Sequence, residues 1–262
     1  MYDFAFHKPS SVADAVKMLG EDEAKALAGG QTFIPVLKQR LNRPSAIVDL
    51  HALGLVGITA ASDKITIGAM TTHQEIMDNA DIKARIPGLS KMASWIGDTQ
   101  VRHCGTMGGS LANNDPSACY PSAALAIGAT IVTDKRRIPV DEYFHGMFTT
   151  ALAPDELITS IEFPIPEKSN YEKFRNPASR YAMVGVFVAR GPAGVRVAIT
   201  GAAQDGVFRH AAMEQALTQN WSADAIAGIV TPPDGLNSDI HASAAYRAHL
   251  IGVMARRAVA GS

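Results

Sequence analysis

Val101-Arg102-His103-Cys104-Gly105-Thr106-Met107-Gly108-Gly109-Ser110-Leu111-Ala112-Asn113-Asn114-Asp115-Pro116 is rich in Gly, Asn, Ser and Thr and poor in charge. It interrupts a chain that is otherwise built from apolar periodic segments. Gly108-Gly109 allows a turn with positive φ and a close backbone approach to a ligand. Thr106 and Ser110 flank the pair with hydroxyls, and successive N–H groups in such a turn form an anion-binding nest. A second stretch of this kind lies upstream, at Ala28-Gly29-Gly30-Gln31-Thr32. It follows the apolar run Ala24–Leu27 and precedes a helical pattern over Phe33–Leu41. A strand, a Gly-Gly turn and a helix start make a phosphate site. The expectation is that the two segments hold one diphosphate from two sides.

Composition narrows the alternatives. The chain has 262 residues, enough for two domains and a sizeable core. A net charge of -1 gives no electrostatic argument for nucleic acid or an anionic membrane. No apolar run reaches the roughly 18–20 residues of a membrane helix. Met1-Tyr2-Asp3-Phe4 does not open a secretory leader, and a cytoplasmic location is expected. The 2 cysteines, Cys104 and Cys119, are too few for an iron–sulfur cluster, which normally takes four ligands. They read as free or buried thiols. The 8 histidines show no metal-ligand spacing, so no metal site is expected.

Periodicity gives an α+β chain. After a short extended entry, Ser10 or Ser11 caps a helix with Val12, Ala15, Val16 and Leu19 on one face. Lys25–Leu27 and Ala46–Leu50 read as strands around a helix that starts at Thr32 and buries Phe33, Val36, Leu37 and Leu41. Lys64–Gly68 alternates as a strand. Thr72 and Glu75 form a capping box for a helix running to Asn79. Pro87–Ile96 is a further helix, and Pro121–Ile127 is apolar enough to be buried. Thr130–Thr133 and Ile138–Val140 pair as a hairpin, and Leu157–Phe163 alternates again. The polar segment Glu167–Asn176 reads as a loop and places a domain boundary there. Ala182–Ala189 and Val195–Gly201 then form strands, with helices over Arg209–Asn220, Ala223–Val230 and Ser243–Val259.

Neither glycine segment is a known phosphate fingerprint. The first lacks GxGxxG spacing and the distant acidic residue, and no Gly-Lys-Ser or Gly-Lys-Thr occurs. Each pair alone reads first as a simple turn, and the shared hydroxyl chemistry of the two is what points to a ligand. Asp115 either takes part in chemistry or shapes the turn before Pro116. No nucleophile has a base beside it. A binding cradle without acid–base machinery points to chemistry carried by a bound cofactor, and no catalytic side chain is assigned.

Ala28–Thr32, Leu37-Lys38-Gln39-Arg40-Leu41, Ile67-Gly68-Ala69-Met70-Thr71-Thr72, Gln100-Val101-Arg102 and Gly105–Pro116 together resemble the FAD-binding medium subunit of molybdenum hydroxylases. The likeness is to the aerobic carbon monoxide dehydrogenase and xanthine dehydrogenase family. Tyr171–Arg175 and Pro177–Tyr181 extend it over nearly the whole chain, while the tail after about Gly206 matches only in general character. The resemblance implies a two-subdomain, PCMH-type FAD module over 1–176, divided near 55. A small C-terminal domain of antiparallel strands and helices of the carbon monoxide dehydrogenase flavoprotein type follows over 177–262.

The resemblance also implies roles. Ala28, Gly29, Gly30, Gln31 and Thr32, with Thr106, Met107, Gly108, Gly109 and Ser110, contact the FAD diphosphate. Phe33 and Ile34 approach the flavin, as do Arg175 and Ile158, and Tyr181 covers or gates one ring face. Many relatives carry a carboxylate where this chain has Cys119, so the contact is altered or comes from Asp115 or water. Gln31 stands where some relatives have His or Asn. The implied function is electron transfer onto FAD from an iron–sulfur small subunit, with the molybdenum cofactor on a large subunit, in a dimer of heterotrimers. A stand-alone flavin oxidase or dehydrogenase, and a cofactor-free module of the same fold, are the alternatives.

Overall fold

Ser11 starts the first helix, its hydroxyl accepting the Asp14 N–H at 3.1 Å. The computed structural model describes residues 1–262. Its first unit comprises β1 (Ala5–His7), α1 (Val12–Leu19), β2 (Lys25–Leu27), α2 (Phe33–Lys38) and β3 (Ala46–Asp49). β3 lies between β1 and β2 and runs parallel to both. Its residues Ala46, Ile47 and Val48 are buried, as expected of a central parallel strand. The helix after the first glycine segment is shorter than its pattern predicts. It stops at Lys38, Arg40 turns the chain at φ 58, and Leu41 is exposed rather than buried.

The second unit holds β4 (Ile58–Ala60) and β5 (Lys64–Gly68), followed by a run of helices. These are α3 (His73–Asp78), α4 (Ala80–Arg85), α5 (Pro87–Ser94), α6 (Thr99–Cys104), α7 (Met107–Asn113) and α8 (Tyr120–Ile127). β6 (Thr130–Thr133), β7 (Arg137–Pro139), β8 (Phe144–Gly146), β9 (Thr149–Thr150) and β10 (Ile158–Pro164) complete it. The antiparallel sheet runs β4-β5-β10-β6-β7, and β8 pairs with β9. The capping box is present: Thr72 Oγ1 accepts from Glu75 N at 3.2 Å, and Glu75 Oε2 accepts from Thr72 N at 2.8 Å. Every residue of α8 is buried, as its apolar sequence requires.

The segment expected to be a loop, 167–176, is instead mostly strand. β11 (Lys168–Arg175) heads an antiparallel sheet with β12 (Ala182–Gly191), β13 (Gly194–Ala203) and β14 (Gly206–Arg209). The residues are polar because they meet specific partners: Asn170 Nδ2 donates to Ala258 O at 2.9 Å, and Lys91 Nζ to Glu172 Oε1 at 2.6 Å. A boundary at 176 would cut this sheet between its first two strands. We therefore propose that the boundary lies at the Pro164-Ile165-Pro166 linker. β12 is apolar almost throughout because both its faces are covered. Phe187 and Ala189 join the core around α8, while Val184, Val186 and Val188 face α9 (Ala211–Gln219) and α10 (Ala244–Ala260). The helix expected over 223–230 is only a single 3-10 turn, Asp224–Ile226, before Gly228 and Pro232-Pro233.

Arg247 ties α10 to this sheet. It is 4% exposed, and Nη1 donates to Met183 O at 2.7 Å and Gly201 O at 3.1 Å. Arg247→Leu is expected to leave both carbonyls unpaired and cost about 3 kcal/mol, measured by urea denaturation.

Candidate functional site

The two glycine segments meet. A β-carbon on Gly29 would lie 2.0 Å from Cys104 O, so only glycine lets the first segment close against the end of α6. A β-carbon on Gly109 would lie 3.5 Å from Ala28 Cβ and 2.9 Å from Thr106 Oγ1. Gly30 has φ +69, the left-handed turn expected there. Gly108-Gly109 is not such a turn. The pair lies in the first turn of α7, with Thr106 Oγ1 accepting from Gly109 N at 3.2 Å. Gly108 is required by space, since its β-carbon would stand 2.6 Å from Ala69 Cβ.

The segments differ in what they offer a ligand. None of the backbone N–H groups from Ala28 to Phe33 donates to another group of the chain. Thr32, expected to cap α2, makes no capping bond. In α7 the donors are already used: Met107 N–H goes to Thr71 O at 3.1 Å, Gly108 N–H to Ala69 O at 2.8 Å and Ser110 N–H to Thr106 O at 3.1 Å. The first segment is thus an open row of donors around a left-handed glycine, which is an anion nest. The second supplies hydroxyls and close approach.

Both segments line one cavity of about 1100 Å³. That is at the upper end of small-ligand pockets, and suits a dinucleotide better than a small substrate. Ala28 through Phe33, Thr106, Gly108, Gly109, Ser110, Asp115, Cys119, Ile158 and Tyr181 all line it. Three expected residues do not. Ile34 packs beneath Gly30, Met107 is fully buried in the core, and Arg175 is exposed at the end of β11 beyond a register shift. Asp115 shapes its turn, Oδ1 accepting from Ser117 N at 2.8 Å, while also lining the cavity.

Lys173, Arg180 and His73 line the cavity and were not singled out from sequence. Lys173 is buried, its ammonium donating to Trp95 O at 2.6 Å and Arg180 O at 3.1 Å, and lying 3.5 Å from Cys119 Sγ. No simple alternation marked it, because Ser169, Asn170, Tyr171 and Lys173 are all buried. His73 stacks near Tyr120 with ring centroids 5.1 Å apart. Burial, with a smaller contribution from the Arg102 guanidinium, lowers its pKa to about 4. Burial, then the Asp115 carboxylate, raises the Tyr181 phenol above its ordinary value. At neutral pH the cavity wall therefore carries a neutral imidazole and a neutral phenol.

The open donor row, the crowded glycines and the size of the cavity fit an FAD. A family model described as "FAD binding domain in molybdopterin dehydrogenase" matches residues 2–166. The chain belongs to this family. It is 34% identical to the carbon monoxide dehydrogenase medium chain of Afipia carboxidovorans, over 98% of this chain and 95% of that one. It is 32% identical to the nicotine 6-hydroxylase medium subunit of Paenarthrobacter nicotinovorans, over 97% of this chain and 95% of that one. Among solved structures, reconstituted CO dehydrogenase from Oligotropha carboxidovorans matches with a TM-score of 0.89 at 31% identity, covering 99% of this chain and 97% of that chain. The protein is an FAD-binding medium subunit of the molybdenum hydroxylases, and so an oxidoreductase subunit.

Gly29→Ala is expected to push the glycine segments apart and weaken FAD binding at least tenfold, read by flavin fluorescence, with far-UV circular dichroism unchanged. His73 gives a pH dependence. Its folded pKa lies below the unfolded value, so the unfolded chain takes up a proton first on acidification. Stability is full above pH 6.5 and falls towards pH 4, by about 3 kcal/mol from this residue. Urea midpoints of the wild type and His73→Gln across this range check it, the variant's slope being shallower.

Proposed function

We propose that the chain is the FAD-carrying electron-transfer subunit of a heterotrimeric molybdenum hydroxylase. It stands between an iron–sulfur small subunit and an external acceptor, with the molybdenum cofactor on a large subunit. The heterotrimers pair as dimers. The carrying observation is the unpaired row of N–H groups from Ala28 to Phe33, facing a cavity large enough for a dinucleotide.

On this reading the residues lining the cavity take the following roles. The N–H groups of Ala28–Phe33 bind the diphosphate, their partial positive charges meeting its negative charge. Thr106 and Ser110 add hydroxyls from the opposite wall. Gly29, Gly108 and Gly109 act by absence of a side chain, letting the walls close and exclude water. Ile158 and Phe33 supply apolar surface, and Tyr181, half-exposed at the cavity, shields the flavin from solvent. Asp115 orients its turn and offers a carboxylate to the ribityl chain. FAD, when bound, supplies the interconversion of one-electron and two-electron transfer.

Several features support the division of labour. The chain's cysteines, Cys104 exposed and Cys119 buried, offer no cluster ligand set. No group of His, Cys, Asp or Glu is arranged to hold a metal ion. No helix is long and apolar enough to cross a membrane. A cofactor-free module gives no reason for a backbone segment with its donors unspent. The matched relatives are medium chains named for carbon monoxide and for nicotine, two chemically unlike substrates, and on this reading the substrate is bound by the large subunit.

Two measurements test the reading. The purified chain should be yellow, with one FAD per chain after reconstitution. Co-expressed with iron–sulfur and molybdenum partners, its flavin should bleach on addition of substrate, and should stay oxidised when the iron–sulfur partner is omitted. Bleaching by substrate in the isolated chain would contradict it.

A further inference from the structure

Lys173 is the one buried lysine of the chain, 7% exposed. Its Nζ touches Trp95 O, Arg180 O and Cys119 Sγ, and no carboxylate is among its contacts. Its neighbour Glu172 is engaged by Lys91 at 2.6 Å. Asp115, on the same cavity wall, does not reach ion-pair distance and is occupied with Ser117 N–H. A buried ammonium with no carboxylate partner is costly, and such groups are ordinarily paired. The carbonyls and the thiol hold it in place without cancelling its charge. Lys173 and Cys119 both line the cavity, so that charge acts on whatever the cavity holds. None of the groups touching Lys173 belongs to the glycine segments, whose N–H row already serves the diphosphate. Tyr181, adjacent in sequence to Arg180, also lines the cavity and offers an aromatic surface to a planar ring.

We propose that Lys173, fixed by Cys119 and two carbonyls and left without a carboxylate, is the positive charge that raises the reduction potential of the flavin in this cavity. This rests on the FAD reading above. Two electrons and one proton convert the neutral oxidised ring to a reduced ring bearing one negative charge. A cation in a low-dielectric wall favours the second state over the first. The residue at position 119 matters for the same reason: a carboxylate there would offset the ammonium's charge and lower the potential.

The test is spectroelectrochemical titration of the FAD-loaded chain, with bound FAD counted first. Lys173→Met and Cys119→Asp are each expected to lower the midpoint potential, by at least a tenfold change in the two-electron equilibrium, about 30 mV. Cys119→Ser, which adds no carboxylate, is expected to keep the wild-type value. If Lys173→Met does not fold, Cys119→Asp decides alone. Variants that bind FAD with the wild-type potential overturn the proposal and leave the FAD reading standing. So does a Lys173→Met variant that loses affinity equally for oxidised and reduced FAD, because that assigns the lysine to a phosphate. A wild-type chain that takes up no FAD removes both.

Discussion

The close approach of Gly29 to the Cys104 carbonyl is the contact on which the site depends. It brings a turn of the parallel N-terminal unit against a helix end of the antiparallel unit, at a separation that no side chain survives. The cavity is the space these two units leave between them. Gly108 makes a second such approach, seating α7 on Ala69 at the end of β5. The cleft wall is thus set by backbone against backbone. Packing of this kind is intolerant of even one added methyl group.

A consequence is a division between the two segments that their similar composition conceals. α7 spends its early N–H groups on Thr71, Ala69 and Thr106, which locks it in place. The Ala28–Phe33 segment spends none. Leaving a row of donors to water is tolerable on a half-exposed turn, and becomes favourable when a diphosphate replaces that water. One wall of the cleft is therefore rigid and satisfied, while the other is held open for an anion. The buried ammonium of Lys173 adds a second electrostatic feature away from the nest.

Much of this was legible in the sequence because small residues are scarce and their clusters stand out. The paired glycines, the Thr72–Glu75 box, the apolar α8 and the alternating strands all follow from local pattern. What was not legible depends on tertiary partners. Gly108 is required by the neighbouring Ala69, a fact no local rule contains, so its segment read as a turn instead of a helix. β11 read as a loop because its polar residues are satisfied by α5 and α10. Arg175 was named from the resemblance alone, and Lys173 went unnoticed because a buried cation on a strand looks, in sequence, like a solvated one. Arg175 lies past the register shift that follows Phe174 and is not among the residues lining the cavity.

The central claim is that the backbone donors of Ala28–Phe33 receive the FAD diphosphate. Hydrogen–deuterium exchange of peptides covering 27–34, with and without FAD, tests it most directly. The account predicts that these amides exchange freely in the apo chain and become strongly protected with FAD, while those at the start of α7 are protected in both states. Unchanged exchange across 27–34 in a chain that demonstrably holds FAD would contradict it.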